Sequence, residues 1–225
     1  MAIVFVVVLL AIVVLPQFWV RHTIQRHDVE RPDLDGTGGE LARHLLNRFD
    51  LNGVKVEIAD KGNHYDSEAK TVRLTAKHHD GRSLSAVAIA AHEVSHALQD
   101  ARGERMLALR QRLVKFASVT DRFAGVFFIA SPILGGLART PVAFFGLVGL
   151  GVALLAVRVI VDLVTLPVET DASFKKALPI LESGGYVDPA DMPAVRSVLR
   201  VAAFTYLAGA LISLVNLARW IRLLR

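Results

Sequence analysis

From Ala2 to Val20 the chain runs AIVFVVVLLAIVVLPQFWV without one charged side chain. At about 1.5 Å per residue, a helix of that length matches the roughly 30 Å hydrocarbon layer of a bilayer. The run starts uncharged and ends at Phe18, Trp19 and Arg21, which suit a membrane interface. It lacks the basic start and small-residue cleavage site of a signal peptide, so it reads as an uncleaved anchor. Three further apolar runs, Phe123 to Ala138, Pro141 to Val161 and Val201 to Ala218, raise the expected number of transmembrane helices to about four. The second of the four holds Pro132 and Gly135-Gly136, residues that suit a broken or re-entrant segment.

Composition agrees with this reading. Hydrophobic residues make up 53% of the 225 and charged residues 21%, gathered into runs instead of being spread as in a soluble core. With no cysteine, disulfide scaffolds, thiolate metal sites and cysteine nucleophiles are excluded, and any metal falls to His, Asp or Glu. The net charge of +5 comes without a basic stripe interleaved with aromatics, so it suggests loops beside membrane spans and no nucleic-acid partner.

Lys and Arg near the run ends set the expected orientation. Arg21, Arg26 and Arg31 follow the first run, Arg110, Arg112, Lys115 and Arg122 precede the second, and Lys175, Lys176, Arg196 and Arg200 lie between the third and fourth. The polar segment and the 169–200 loop are therefore expected on the cytoplasmic side of a bacterial plasma membrane, in a multi-pass arrangement. The basic tail with Arg219, Arg222 and Arg225 conflicts with four complete crossings. The expected division is an anchor at 1–20, a catalytic domain at 21–121, a transmembrane hairpin at 122–168, a cytoplasmic loop at 169–200, and a fourth span with its tail at 201–225.

Within 21–121, Leu41, Leu45, Leu46 and Phe49 fall at helical spacing in the stretch Gly36 to Asp50. Val54, Val56 and Ile58 alternate with polar residues, as do Thr71 to Thr75, and Lys61-Gly62-Asn63 is turn-like. After Ser83, a helix N-cap residue, LSAVAIAAHEVSHALQDA has no Gly or Pro and reads as a helix.

That helix carries the pattern H-E-x-x-H as His92-Glu93-Val94-Ser95-His96. Positions i and i+4 lie one above the other on a helix, so both imidazoles can reach one Zn2+, with Glu93 beside a water held by the metal. Such a site lowers the pKa of the water to about 7, and the carboxylate acts as general base and passes the proton to the leaving amine. By chance a chain with this much His and Glu would hold about 0.01 such motifs.

The third ligand follows by elimination. All eight histidines lie at or before position 96, and the metzincin position is occupied by Arg102. Of the downstream glutamates, Glu104 is too near the end of the same helix and Glu182 sits in a Ser-Gly-Gly turn, which leaves Glu169. It follows the third apolar run, and a hairpin of runs two and three would return it to the side of His92 and His96.

AAHEVSHALQ, the upstream HYDSEAKTVRLT and the downstream LPVETDAS together resemble the YugP-type neutral zinc metallopeptidases of bacterial membranes over nearly the whole chain. More distantly the chain is similar to gluzincin membrane proteases of the HtpX kind. The resemblance implies zinc at His92, His96 and Glu169, Glu93 as catalytic base, peptide or protein substrates, and a bilayer as partner. The fold it implies is an α-helical membrane protein with a small α+β zincin-like catalytic domain. The chain departs from the distant relatives in having Ser173 where they have Asp, four residues after the ligand Glu. Asp171 is then the candidate to support a ligand imidazole, or else a residue that complements a helix dipole.

Other residues invite a role. Thr71 to Thr75 is either an exposed edge that binds substrate backbone or an inner strand packing Val72 and Leu74 on the helix. His64 and Tyr65 are candidate oxyanion donors or a strand-end pair, and His78 and His79 read as solvated loop residues. Arg158 and Asp162, four apart in an apolar run, should pair. The function expected is a membrane-embedded zinc metalloendopeptidase. A non-catalytic membrane scaffold stabilised by zinc is the alternative, and a metal carrier is disfavoured because no ligand cluster lies at a midplane.

Overall fold

The computed structural model describes residues 2–137 and 140–205. In chain order the elements are α1 (Ala2–Arg26), α2 (Gly38–Arg48), β1 (Lys55–Ala59), β2 (His64–Asp66), β3 (Thr71–Thr75), α3 (Ala76–Asp80), α4 (Leu84–Ala101), α5 (Arg105–Leu137), α6 (Pro141–Thr170), a π-helical turn Asp171–Ala177, and α7 (Leu178–Gly184). A last helical stretch covers 192–205 within the described residues. The chain divides into two compact units, one of residues 18–108 and 167–205, the other of 1–17, 109–166 and 206–225.

The first unit is built around α4. Its core joins Leu45 and Leu46 of α2, Val72 and Leu74 of β3, Val87, Ile89 and Val94 of α4, Leu178 and Leu181 of α7, and Val195, Val198 and Leu199 of the last stretch. In α2 the helical spacing of the apolar residues turns one face inward, and Thr37 and Glu40 close a capping box at its start: the Thr37 N–H donates to Glu40 Oε2 at 2.7 Å and the Glu40 N–H to Thr37 Oγ1 at 3.2 Å. Gly38 is required there by close approach, because a Cβ would lie 2.2 Å from the His78 carbonyl oxygen and 3.0 Å from that of Ala86.

The sheet has the order β1-β3-β2, with β1 parallel and β2 antiparallel to β3. Thr71–Thr75 is thus the central strand, its backbone paired on both sides, Val72 with Val56 and Tyr65, and Arg73 with Glu57 and His64. This overturns the edge-strand reading. Val72 and Leu74, fully buried, pack instead into the core that holds α4. The break at His78 to Gly81 also differs from expectation: Ala76–Asp80 forms a short helix, and His78 is buried with Nδ1 3.0 Å from Thr75 Oγ1 and from Asn63.

The second unit takes in most of α5 and α6. Among the described residues no helix is long and apolar enough to cross a membrane, which corrects the expected membrane fold of about four transmembrane helices. Charge interrupts the long helices: α5 carries Arg105, Arg110, Arg112, Lys115, Asp121 and Arg122 before its apolar half, and α6 carries Arg158 and Asp162. The runs at 2–20, 123–138 and 201–218 fall largely on side chains outside the described ones, and Arg219, Arg222 and Arg225 lie outside the described residues. The architecture that remains is helix-rich with one small three-stranded sheet.

Candidate metal centre

The centre starts from the N-terminus of α4. Ser83 caps it, its Oγ accepting from the Ala86 N–H at 3.0 Å and donating to Asp28 Oδ1 at 2.9 Å. Every residue from Leu84 to Gln99 is buried, so this helix has no solvated face, and its alanines at 86, 88, 90, 91 and 97 let neighbours approach from all sides. Burial of His92, Glu93, Ser95, His96 and Gln99 within such a helix demands partners for each polar group.

Positions 92 and 96, four apart, bring the two imidazoles together with ring centroids 4.7 Å apart and planes at 80°. The third group comes from the end of α6, which continues through Pro167 and then widens into the π-helical turn. There Glu169, only 1% exposed, places Oε2 3.2 Å from His92 Nε2 and 3.3 Å from His96 Nε2. One ligand atom from each of the three residues lies within 4.8 Å of the others, the arrangement of a metal-binding cluster.

The other ring nitrogens are also engaged. Ser173 Oγ is 3.0 Å from His92 Nδ1, and Gln99 Oε1 is 2.9 Å from His96 Nδ1. Gln99 Nε2 donates to the Val168 carbonyl at 3.1 Å and to Asp171 Oδ2 at 2.8 Å. Lys176, itself buried, donates to Asp171 and reaches Glu104 Oε1 at 3.0 Å. Burial would push the Asp171 carboxyl up, but the bonds from Lys176 and Gln99 outweigh it and hold it below the usual range.

A model of the family described as "Putative neutral zinc metallopeptidase" matches residues 2–225. The chain belongs to that family. It is also 35% identical over 208 residues to "Putative membrane protease YugP" of Bacillus subtilis (strain 168), a match covering 91% of this chain and 88% of the relative. No solved structure matches.

Zinc is the cofactor of the neutral zinc metallopeptidases, and the residues here fit it. The fit rests on the donor set. Two imidazole nitrogens and a carboxylate oxygen converge in a buried space, a donor set able to hold a divalent cation. Two nitrogens and one oxygen, without sulfur, suit zinc with a fourth position left open.

Of the residues singled out in the sequence, His92, His96 and Glu169 meet at one point, and Glu93 is buried on the same helix. Asp171 touches neither imidazole and instead meets Gln99 and Lys176. Tyr65 is committed to Asp100, to which its hydroxyl donates at 2.7 Å, and His64 is exposed at the edge strand; neither reaches the cluster. Gln99 is the participant that sequence reasoning missed. Its signal was spacing, three residues after His96 and so on the same helical face. Ser173 was visible only as a departure from a carboxylate, and its contact with His92 needed the fold.

Proposed function

We propose that this chain is a zinc metalloendopeptidase that hydrolyses peptide bonds, with His92, His96 and Glu169 as the metal ligands and Glu93 as general base. The convergence of Glu169 Oε2 on both Nε2 atoms carries the reading. When bound, zinc lowers the pKa of a coordinated water and polarises the substrate carbonyl. Glu93, adjacent to His92 and 6% exposed, takes the proton from the attacking water and delivers it to the leaving amine. The closed packing of α4 behind it keeps bulk water from the carboxylate and leaves the reacting groups in a low dielectric, where each charge contact counts for more. The catalytic portion is the unit of residues 18–108 and 167–205, which holds His92, Glu93, His96 and Glu169.

The reaction takes place at a membrane. Two observations support this: the relative is called "Putative membrane protease YugP", and large apolar side chains of α5 and α6, among them Phe116, Phe123, Val142 and Ile160, are exposed. A lipid bilayer is the partner that such a surface suits.

Glu93→Gln tests the catalytic claim. The variant should bind zinc as the wild type does while peptide hydrolysis falls by about 10²- to 10⁴-fold. Hydrolysis at the wild-type rate in the zinc-loaded variant would show that Glu93 is not the general base and would remove the proposal.

A further inference from the structure

We propose that Gln99 is a positioning residue that fixes the tautomer of His96 and ties it to the segment bearing Glu169, so that the metal site is formed before the metal arrives. The inference rests on the reading of His92, His96 and Glu169 as zinc ligands and concerns a different question: what aims the second histidine.

The two ends of the Gln99 amide face different neighbours. One end is within hydrogen-bond distance of the Val168 carbonyl, 3.1 Å, and of Asp171 Oδ2, 2.8 Å. A backbone carbonyl oxygen is an acceptor only, so this end must be the NH2 group, and it donates to Asp171 as well. The amide oxygen is then forced toward His96 Nδ1 at 2.9 Å, and since that oxygen cannot donate, Nδ1 must carry the hydrogen. In the neutral ring Nε2 is left as a lone pair, and it is Nε2 that lies 3.3 Å from Glu169 Oε2.

His92 has no such constraint. Its Nδ1 meets Ser173 Oγ at 3.0 Å, and a hydroxyl donates or accepts as required. One histidine is therefore set by an amide of forced direction, the other by a group that adapts. Gln99 also bonds the carbonyl of Val168, the residue before Glu169, so a single side chain spans from an imidazole of α4 to the backbone that carries the carboxylate. Asp171 is the anchor of this amide, and Lys176 with Glu104 extends the chain behind it.

The test has a readout independent of turnover and of metal. In the metal-free wild type at a pH where the ring is neutral, imidazole nitrogen NMR should show His96 protonated at Nδ1. A His96 ring protonated at Nε2 would overturn the proposal. Zinc affinity by chelator competition is the second readout. Gln99→Met, similar in volume and without the amide, should weaken zinc about 10- to 100-fold, the usual cost of removing a group that orients a ligand histidine. Wild-type affinity in that variant would overturn it.

If Gln99→Met does not fold, the tautomer of the wild type decides alone, since it needs no variant: a hydrogen on His96 Nδ1 supports the role and a hydrogen on Nε2 overturns it. Failure of the zinc reading looks different: the wild type itself would bind no zinc, while the tautomer of His96 would still be measurable.

Discussion

In the unit that carries the metal centre, Leu45, Leu46, Val72 and Leu74 are fully buried, whereas in the unit of the long helices Phe116, Phe123, Val142 and Ile160 are each more than half exposed. The same class of side chain does opposite things in one chain. Around α4 apolar area is removed from water, at about 25 cal/mol per Å² and about 1.5–3 kcal/mol for a fully buried leucine. That burial is what keeps six polar side chains of α4 fixed in the interior. Along α5 and α6 no such gain is made at the exposed positions. A high hydrophobic content therefore does not say which unit water stabilises.

Substitutions can break this contrast. Leu46→Ala, at 0% exposure, should cost about 2–5 kcal/mol in urea unfolding of the site-bearing unit, through lost burial and a residual cavity. Phe116→Ser, at 56% exposure, should change the same quantity by no more than about 0.5 kcal/mol. Equal losses from the two would mean that the long helices share the packed interior, and the contrast would be gone.

Metal removal sharpens it. With free zinc at 100 times its Kd, the bound ion should add about 2.7 kcal/mol to the stability of the unit that binds it. Chelation should therefore lower the melting transition seen by probes in 18–108, and addition of zinc should restore it. A transition that does not respond to zinc would separate the cluster from the stability of its unit.

A smaller effect comes from His78. Burial holds its imidazole below the ordinary 6.5, with the Asp28 carboxylate drawing it up and the Lys77 ammonium pressing it down. The fold thus prefers the neutral ring, and as pH falls the unfolded chain takes up the proton first. This contribution is complete above about pH 6.5 and is lost as the pH falls through and below that value. Urea midpoints should decline between pH 7.5 and 5.5, and His78→Gln should reduce the decline; an unchanged slope would show that other groups cause it. His27, also lowered first by burial and then by Arg26, accounts for part of what remains.

How far the sequence could be read depended on the range of the interaction. The H-E-x-x-H spacing, the Ser83 cap and the apolar spacing of α2 are local, and each falls where its pattern placed it, within a residue or two. Glu169 was reachable by elimination because only three glutamates follow His96. Strand order was not readable: the alternation in Thr71–Thr75 is the same for a central strand as for an edge, and only the pairing of Val72 with both Val56 and Tyr65 decides. Burial of His78 was hidden for a similar reason, since Asn63 and Asp28, which flank it, are distant in the chain. The bond from Asp171 to Gln99 spans 72 residues, so no local pattern could have reported it.

X-ray absorption on the zinc-loaded protein tests the central claim most directly. The account predicts one zinc per chain with two imidazole nitrogens at about 2.0–2.1 Å and carboxylate or water oxygens at about 2.0–2.2 Å. It further predicts that His96→Ala removes one of the two imidazole signals and that Glu169→Ala alters the oxygen shell. A zinc environment left unchanged by both substitutions would contradict it.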